Sequence, residues 1–435
     1  MDDHMEPMWD VIVIGAGPSG LMAAIEAGHR GARTLLIEKG KRPGRKLLIS
    51  GGGRCNVTNA RGIDHIIENT PGNGRFLYSV FRQWSNEDII AFFMGLGVAL
   101  KEEDRGRMFP VTDRADTVLD ALLQLLDKYQ VTVRYNQEVS MITHQDEFSW
   151  NIHVQDDIYV TRAIIIATGG CSVPQTGSTG DGYRFAKSIG HTIVEPYPTS
   201  VPLMADDLWI KERFLQGVAV RGTLLTAYDE KGKVFAKEEG DLLFTHFGLS
   251  GPAALRISQY IVKFLARSAG THAIVTVDLL PGLSKEEVFS KIQQTTKGNG
   301  KKLIRSLLRD FLSERFADVL LFILQIDSQM EGAHLSKKDA EKIASLIKAF
   351  PVHVTGTLGL SKATVTGGGV FLKEVNPATL ASKKEHGLYF CGEVLDVHAH
   401  TGGYNITVAF STGHVAGNHA AEYAIQTNLA FLLGK

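Results

Sequence analysis

Near the start of the chain, two short runs of apolar residues enclose a stretch with helical periodicity. The run from Trp9 to Ile14 is almost wholly apolar and rich in β-branched residues, which favours a buried parallel strand. Residues Leu21 to Gly31 repeat apolar positions at helical spacing, and Thr34 to Glu38 has the pattern of a second buried strand. This order predicts a β-α-β unit.

Apolar runs far along the chain predict further parts of the same domain. Ala163 to Ala167 and Leu388 to Cys391 have the composition of buried strands. A helix is expected from near Ile406 through Ala420. The pieces that resemble one α/β domain therefore lie at both ends of the chain.

The middle of the chain has a different pattern. Residues from about 197 to 280 are β-rich, with a predicted hairpin in which the polar turn Asp229–Gly232 separates 218–228 from 233–237. Residues from about 284 to 349 are helical, and the capping boxes Ser284-x-x-Glu287 and Ser336-x-x-Asp339 open two of those helices. The pattern predicts an α/β domain interrupted by a β-rich insert that itself carries a helical insert.

Composition excludes several broad classes. The chain has 435 residues, with 46 Lys and Arg against 47 Asp and Glu, so its net charge of −1 provides no overall attraction to nucleic acid or an anionic membrane. No apolar run approaches the roughly 18–20 residues that span a bilayer, and the N-terminus has no apolar leader. The three cysteines are far apart, which predicts no disulfide framework and favours a cytoplasmic location.

A glycine motif follows the first predicted strand. Gly15-x-Gly17-x-x-Gly20 lies between strand and helix, where its glycines permit a tight turn, a close approach to a pyrophosphate and close packing of helix on strand. Glu38, at the end of the second strand, is placed to accept hydrogen bonds from ribose hydroxyls and would repel a 2′-phosphate. The pattern indicates FAD or NAD rather than NADP.

Further glycine-rich segments along the chain favour FAD. Ser50 to Thr58 (SGGGRCNVT), preceded by Arg45 and Lys46, lets the main chain pass close to a flat ring system. Glycine-rich turns recur later, at 168–170, 179–182, 392–393 and 402–405, the last immediately before the final helix. The N-terminus of that helix would stabilise the negative charge of a reduced flavin, and Glu393 could hold ribityl hydroxyls.

These strings carry a family resemblance. GAGPSG, GRKLLISGGGRCNVTN, ATGG, TGDG, GLYFCGEVLD and HTGGYN together resemble the BaiN-like flavoproteins, whose members include aminoacetone-oxidase-type and bile-acid-dehydroxylation-type FAD enzymes. The family's FAD domain is similar to that of the glutathione-reductase and fumarate-reductase flavoproteins. The resemblance and the motifs imply non-covalent FAD contacts at Gly15, Gly17, Ser19, Gly20, Glu38, Lys39, Lys46, Gly53, Arg54, Cys55, Thr168, Gly169, Asp181, Gly392, Glu393, Gly403, Asn405 and Ile406.

The expected fold class is α/β, with a Rossmann-like FAD-binding domain interrupted by a β-rich insert that carries a small helical insert, and the resemblance implies that the β-rich insert is β-barrel-like. The FAD-binding domain is expected over 1–195 and 357–435, and the β-rich insert over 196–282 and 345–356. The helical insert is expected over 283–344. The glycine run 366–369 precedes a strand-like segment rather than a helix, so no dedicated NAD(P)H domain is predicted.

Candidate catalytic residues are few. Cys55 either meets the flavin as a thiolate or packs beneath it as a small apolar residue, and the lack of a partner cysteine favours packing. His398 and His400 precede the 402–403 glycines and could move a proton during hydride transfer, or be merely structural. His246 lies in an insert turn and either faces the flavin or is structural. None of the three histidines has companion ligands at metal spacing.

The expected function is an FAD-dependent oxidoreductase acting on a small organic substrate, and we favour an NAD(P)H-driven reductase of an activated double bond. An amine or amino-ketone oxidase using oxygen is the alternative within that class. A tRNA-modifying flavoenzyme or an FAD-binding protein without turnover are alternatives from other classes. The basic residues Lys297, Lys301, Lys302, Arg305 and Arg309 are the only local support for a nucleic-acid partner, and their usual meaning is a solvated helix face. The oligomeric state stays open.

Overall fold

The computed structural model describes residues 8–268 and 272–433, so the predicted lack of an N-terminal leader falls largely outside it. The strands, in chain order, are β1 (Trp9–Ile14), β2 (Thr34–Ile37), β3 (Thr58–Asn59), β4 (Leu100–Glu103), β5 (Arg107–Pro110), β6 (Thr132–Arg134), β7 (Val139–Asp146), β8 (Ser149–Val154), β9 (Asp157–Ile166), β10 (Ile193–Thr199), β11 (Leu203–Ala205), β12 (Ala219–Tyr228), β13 (Val234–Phe244), β14 (Gly248–Ser250), β15 (Ala273–Val277), β16 (Phe350–Thr357), β17 (Val365–Val370) and β18 (Leu388–Phe390).

The helices are α1 (Pro18–His29), α2 (Arg45–Ile49), α3 (Ile63–Glu68), α4 (Tyr78–Phe81), α5 (Asn86–Gly95), α6 (Ala115–Lys128), α7 (Asp181–Ser188), α8 (Leu208–Lys211), α9 (Pro252–Arg267), α10 (Lys285–Gly298), α11 (Ile304–Leu308), α12 (Glu314–Leu324), α13 (Lys337–Lys348) and α14 (Tyr404–Leu432). The chain forms two compact units. The nucleotide unit comprises the described residues up to Tyr197 and from Val365 onward, and the barrel unit comprises Pro198–Thr364.

A seven-stranded sheet forms the centre of the nucleotide unit, in the order β6-β2-β1-β9-β8-β7 with β18 also on β9. Strands β6, β2, β1, β9 and β18 pair in parallel, while β7, β8 and β9 form an antiparallel meander. The first half of β9 pairs with β8 and its second half with β18. Residues Val11 to Val13 of β1 are fully buried. A parallel strand that is covered on both faces needs apolar side chains throughout, which explains the apolar run in the sequence.

Helices α1 and α14 pack closely against each other beside this sheet. A side chain at Gly413 or Gly417 of α14 would overlap the backbone of Ser19 or Ala23 in α1. Small residues at such a crossing let the two backbones approach. The contact holds the start of α1, which carries the glycine motif, against the middle of the C-terminal helix.

The barrel unit has a core of its own. Six strands close in the order β11-β14-β13-β12-β15-β16, with β16 returning to β11, and every pairing is antiparallel. Helices α10 to α13 pack on a continuous apolar cluster shared with the barrel. The capping box at Ser284 and Glu287 forms in both directions, whereas at Ser336 only the hydroxyl of Ser336 caps the helix.

The predicted fold class is confirmed: a Rossmann-type α/β domain is interrupted by a closed antiparallel barrel with attached helices. Several element bounds differ from the predictions. The last helix begins at Tyr404 rather than near Ile406, and the second strand ends at Ile37 because the Glu38 side chain turns back to cap backbone N–H groups. Residues 365–370 form a buried strand, although a strand-like run was expected only beyond Gly369.

Candidate functional site

The glycine turn between β1 and α1 has the shape that a pyrophosphate requires. Gly15 has a φ of +101°, and a Cβ at Gly20 would overlap the Gly15 carbonyl, so both positions need glycine. A Cβ at Gly17 would meet no atom within 4 Å, which leaves open space beside the turn. Gly17 also precedes the first residue of α1, where backbone N–H groups are available to an anion.

Glu38 lies across from this turn and is held in one orientation. Its Oε2 atom accepts from the Ala16 N–H at 2.8 Å, and its Oε1 atom accepts from the Gly40 N–H at 2.7 Å. A carboxylate has roughly four acceptor positions, so two remain for ribose hydroxyls. The side chain is therefore prepared to bind a ribose without having to reorient.

Two ion pairs connect the predicted cofactor residues. Lys46 Nζ lies 2.7 Å from Glu393 Oε2, and the other Glu393 oxygen accepts from the Thr366 N–H at 2.8 Å. Lys39 Nζ lies 2.5 Å from Asp181 Oδ2. The structure thus brings together residues that are up to 347 positions apart in the sequence. The pairs also show that Lys46 and Glu393 act on one another, which the sequence did not indicate.

The SGGG segment forms a tight and exposed turn. Gly51, Gly52 and Gly53 all have positive φ angles of 56°, 71° and 88°. The next side chain, Arg54, lies over the Phe109 ring and donates to Glu103 Oε1 at 2.8 Å. In this structure Arg54 is therefore directed towards the small β3–β5 sheet, where Glu103 neutralises its charge.

Cys55 is fully buried, with its backbone in the left-handed region at a φ of 61°. Burial raises the pKa of its thiol to about 12, although a hydrogen bond involving Ser50 acts in the opposite direction. The side chain is consequently a neutral thiol at physiological pH. Its environment supports the packing interpretation over the thiolate one.

The loop before α14 is fixed by one amide side chain. Asn405 Oδ1 accepts from the Ala399 N–H at 2.9 Å, and its Nδ2 donates to the carbonyl oxygens of Ala399 and His400. Gly403 caps the helix with a φ of +94°, and a Cβ there would collide with the Thr58 carbonyl. Asn405 thus shapes the loop, while the partly buried Ile406 lies in the first turn of α14.

The two candidate histidines of this loop are both buried. His398 is 1% exposed and His400 is 7% exposed. The His400 N–H donates to the Asn69 carbonyl, and His398 Nε2 lies 2.9 Å from the hydroxyl of Tyr197, a residue that sequence reasoning missed. Nothing in the local pattern of β10 could have revealed Tyr197, since its partner is 201 residues away. His246 lies in the barrel unit, exposed beside Phe247, and its approach to a flavin stays a prediction.

The residues present fit FAD. The Thr168 hydroxyl is buried at the end of β9 with no hydrogen-bond partner among the described residues, as expected for a group that contacts a ligand. Gly392, with a φ of +75°, follows β18, the strand that pairs with β9. The glycine turn, Glu38, the exposed SGGG turn and these strand ends belong to one unit. The individual FAD contacts of these residues stay predictions.

Comparison with known proteins identifies the family. The model of the HI0933-like protein Rossmann domain matches residues 9–419. The chain belongs to this family. Its similarity to the ribosomal RNA dihydrouridine synthase of Escherichia coli is 34% identity over 93% of this chain and 96% of that protein. The 3-dehydro-bile acid delta(4,6)-reductase of Clostridium scindens is 30% identical over 94% of this chain and 98% of that protein.

Solved structures show the same fold. The open form of a flavocytochrome c3 fumarate reductase matches 97% of this chain with a TM-score of 0.51 at 16% identity. The 3-ketosteroid-delta4-(5alpha)-dehydrogenase of Rhodococcus jostii matches with the same TM-score and identity. The resemblance predicted from the motifs is confirmed, and this HI0933-like protein is an FAD-dependent oxidoreductase. Among its described helices, none has the length and apolar character needed to cross a membrane.

Proposed function

We propose that this HI0933-like protein is an NAD(P)H-driven flavin reductase of a carbon–carbon double bond conjugated to a carbonyl group, and that its acceptor is uridine in ribosomal RNA. The observation that carries the proposal is the full-length similarity to ribosomal RNA dihydrouridine synthases, at 34% and 32% identity. Dihydrouridine is the product of adding two hydrogens across the C5=C6 bond of uracil, which is conjugated to the C4 carbonyl.

The same chemistry unites the relatives. The Clostridium scindens relative is likewise named as a reductase of double bonds, in a 3-dehydro bile acid. A uracil ring and a keto steroid differ in shape, but each presents a polarised alkene to a hydride donor. The names of both relatives therefore support the same reaction class, the reduction of a polarised alkene.

The chain's own residues would bind and orient the cofactor. When bound, FAD supplies the hydride that adds to the alkene. The glycine turn would hold the pyrophosphate, and Glu38 would hold the ribose. The N-terminus of α14 would stabilise the negative charge of the reduced flavin. The protein must also supply a proton to the neighbouring carbon and keep water from the reacting atoms.

The RNA acceptor departs from the expectation drawn from net charge. A chain of net charge −1 attracts RNA poorly as a whole, so recognition would depend on a local surface and on the target base. The basic cluster of the helical insert offers little help, because Arg305 pairs with Asp318 and Arg309 pairs with Glu314. We therefore expect binding that is weak on unrelated RNA.

The test combines flavin reduction with product analysis. The purified yellow protein is titrated anaerobically with NADH and then NADPH, and bleaching of the flavin absorbance is expected with at least one of them. An unmodified ribosomal RNA transcript is then added, and digested nucleosides are analysed by mass spectrometry for dihydrouridine. A tRNA transcript of similar uridine content serves as the matched control and should gain none.

Other outcomes point to other functions. Persistent absorbance with both nicotinamides would contradict the reductase and favour an amine or amino-ketone oxidase that forms peroxide. Bleaching without dihydrouridine, together with reduction of a steroid-type dienone, would favour a second candidate function, that of a small-molecule enone reductase. The similarity to the Clostridium scindens bile acid reductase supports this second candidate. Bound flavin that no donor reduces would indicate an FAD protein without turnover.

A further inference from the structure

A tyrosine and a histidine form a hydrogen-bonded pair in the nucleotide unit. The Tyr197 hydroxyl lies 2.9 Å from His398 Nε2, and the two rings meet edge to face with centroids 5.8 Å apart. His398 is 1% exposed, whereas Tyr197 is only partly buried. Of the two side chains, the tyrosine is therefore the one that another molecule can reach.

Two glycines make room for this pair. A Cβ at Gly72 would overlap the His398 imidazole, and a Cβ at Gly367 would overlap the Tyr197 ring. Neither glycine has a positive φ, so backbone conformation does not explain them. Close ring contact is the physical reason for glycine at both positions.

The backbone around His398 is also fixed. Gly72 and His398 exchange two hydrogen bonds, in which the Gly72 N–H donates at 3.0 Å and the His398 N–H donates at 3.3 Å. Two residues later, the His400 carbonyl accepts from Asn405 of α14. His398 is therefore held in place by backbone hydrogen bonds in the loop that leads to α14, and Tyr197 reaches it from β10.

Tyr197 also lies beside the strand β17, which is hydrogen-bonded to Glu393 of the Lys46–Glu393 ion pair. Gly367, which contacts Tyr197, follows Thr366, whose N–H donates to Glu393 at 2.8 Å. Glu393 in turn pairs with Lys46. The Tyr197 ring thus adjoins Gly367 on one side and His398, in the loop before α14, on the other, and Tyr197 itself belongs to none of the predicted FAD motifs.

We propose that Tyr197 is the proton donor of the alkene reduction and that His398, acting through it, supplies the replacement proton. This inference rests on the proposed function. Hydride addition forms a C–H bond at the carbon β to the carbonyl and moves the alkene electrons into an enolate. The Tyr197 O–H bond then breaks, and its proton forms the second C–H bond at the α carbon.

The histidine completes the cycle. With its proton on Nε2, His398 donates to the phenol oxygen, and the phenol donates its own proton to the substrate. The tyrosinate left after the reaction takes that Nε2 proton while a proton from solvent is delivered to Nδ1, so that the imidazole stays neutral. Proton exchange with water then restores the form that carries its proton on Nε2. The two electrons come from NAD(P)H by way of the flavin, so protons and electrons balance.

The test separates proton transfer from electron transfer. Bound FAD is reduced with dithionite, which removes any dependence on the natural donor, and is then mixed anaerobically with 2-cyclohexenone, with the ribosomal RNA transcript or with ferricyanide. In Tyr197→Phe, reoxidation by either alkene should slow by about 10²-fold or more, the range for a lost general acid. Ferricyanide accepts electrons without forming a C–H bond, so its rate should equal that of the wild type.

Matched variants distinguish the roles. Tyr78→Phe removes a phenol that donates to Asp64 on the surface and should change nothing. His398→Gln still donates to the phenol but cannot surrender its proton, so a first turnover should keep its rate while later turnovers slow. Should Tyr197→Phe lose FAD, Gly72→Ala tests the same pair, because its added Cβ would displace the His398 ring. Gly62→Ala, where a Cβ meets no atom within 4 Å, is the control for Gly72→Ala.

A spectroscopic readout does not depend on turnover. With ¹⁵N-labelled histidine, Tyr197→Phe should shift the Nε2 resonance that disappears in His398→Gln, and Tyr78→Phe should not. Wild-type alkene rates in Tyr197→Phe would overturn the inference while leaving the reductase intact. Reduced wild-type protein that neither alkene reoxidises would overturn the proposed function, and this inference with it.

Discussion

At Cys55, the surroundings of one side chain decide its chemistry. A cysteine in a glycine-rich stretch predicted to lie beside a flavin is compatible, from the sequence alone, with either a reactive thiolate or a packed neutral thiol. In the structure the side chain is fully buried, and burial raises the pKa of its thiol to about 12. Cys391 is equally buried with its pKa raised to the same level, whereas Cys171 is partly exposed.

These differences predict the order of alkylation. With iodoacetamide at mildly alkaline pH, Cys171 should react first, while Cys55 and Cys391 should react only after denaturation. The reason is that thiolate fraction and access together set the rate, and both are minimal at the buried sites. Peptide mass spectrometry of the native protein measures the order. Modification of Cys55 at the rate of Cys171 would show that the thiol is accessible and activated.

At the scale of elements, the crossing of α1 and α14 links the C-terminal helix to the pyrophosphate turn. Gly413 faces the Ser19 carbonyl, and Ser19 lies in the glycine motif that begins α1. The sequence predicted both helices, but it could not indicate that they pack together. Their contact depends on which faces the sheet leaves exposed, and residues 394 positions apart have no local pattern in common.

Gly413→Val should therefore disturb the cofactor site as well as the fold. The added side chain cannot avoid the Ser19 backbone, so we expect a loss of about 1–3 kcal/mol or more in unfolding free energy and weaker FAD retention. Thermal unfolding and the ratio of flavin to protein absorbance measure the two effects. Gly95→Ala in α5, where a Cβ meets no atom within 4 Å, is the control and should be neutral or slightly stabilising.

At the scale of the whole molecule, the division into two units predicts a separable FAD-binding part. Every predicted cofactor residue lies in the nucleotide unit. Strands β10 and β17, which lie at its two chain breaks, pair with each other, and Phe371 donates to Thr192 at 3.0 Å. The ends created by removing residues 198–364 are consequently close together.

Replacing residues 198–364 by a flexible linker of about eight Gly and Ser residues should give a yellow, folded protein that retains one FAD. The barrel unit has its own apolar cluster, so its removal should not open the core of the nucleotide unit. Absorbance spectra and gel filtration check both points. The same deletion carrying Glu38→Ala should lose flavin, and a colourless parent deletion would mean that the barrel unit contributes to cofactor binding.

Much of this protein could be predicted from its sequence. The β-α-β start, the interrupted α/β organisation, the FAD motifs and the family all followed from local patterns, because burial periodicity and glycine at strained turns are properties of neighbouring residues. The closed barrel was expected from the family resemblance. Strand and helix bounds differed by a few residues, since capping and side-chain hydrogen bonds, as at Glu38, decide where an element ends.

Only the tertiary structure decided which distant side chains meet. The Lys46–Glu393 ion pair, the Gly413 contact with Ser19 and the Tyr197–His398 pair each join residues that are far apart in sequence. Such pairings depend on how sheet and helices pack, and a single sequence contains no local signal for them. The sequence by itself therefore determined the cofactor and the fold class, while packing selected the neutral state of Cys55 and brought Tyr197 to His398.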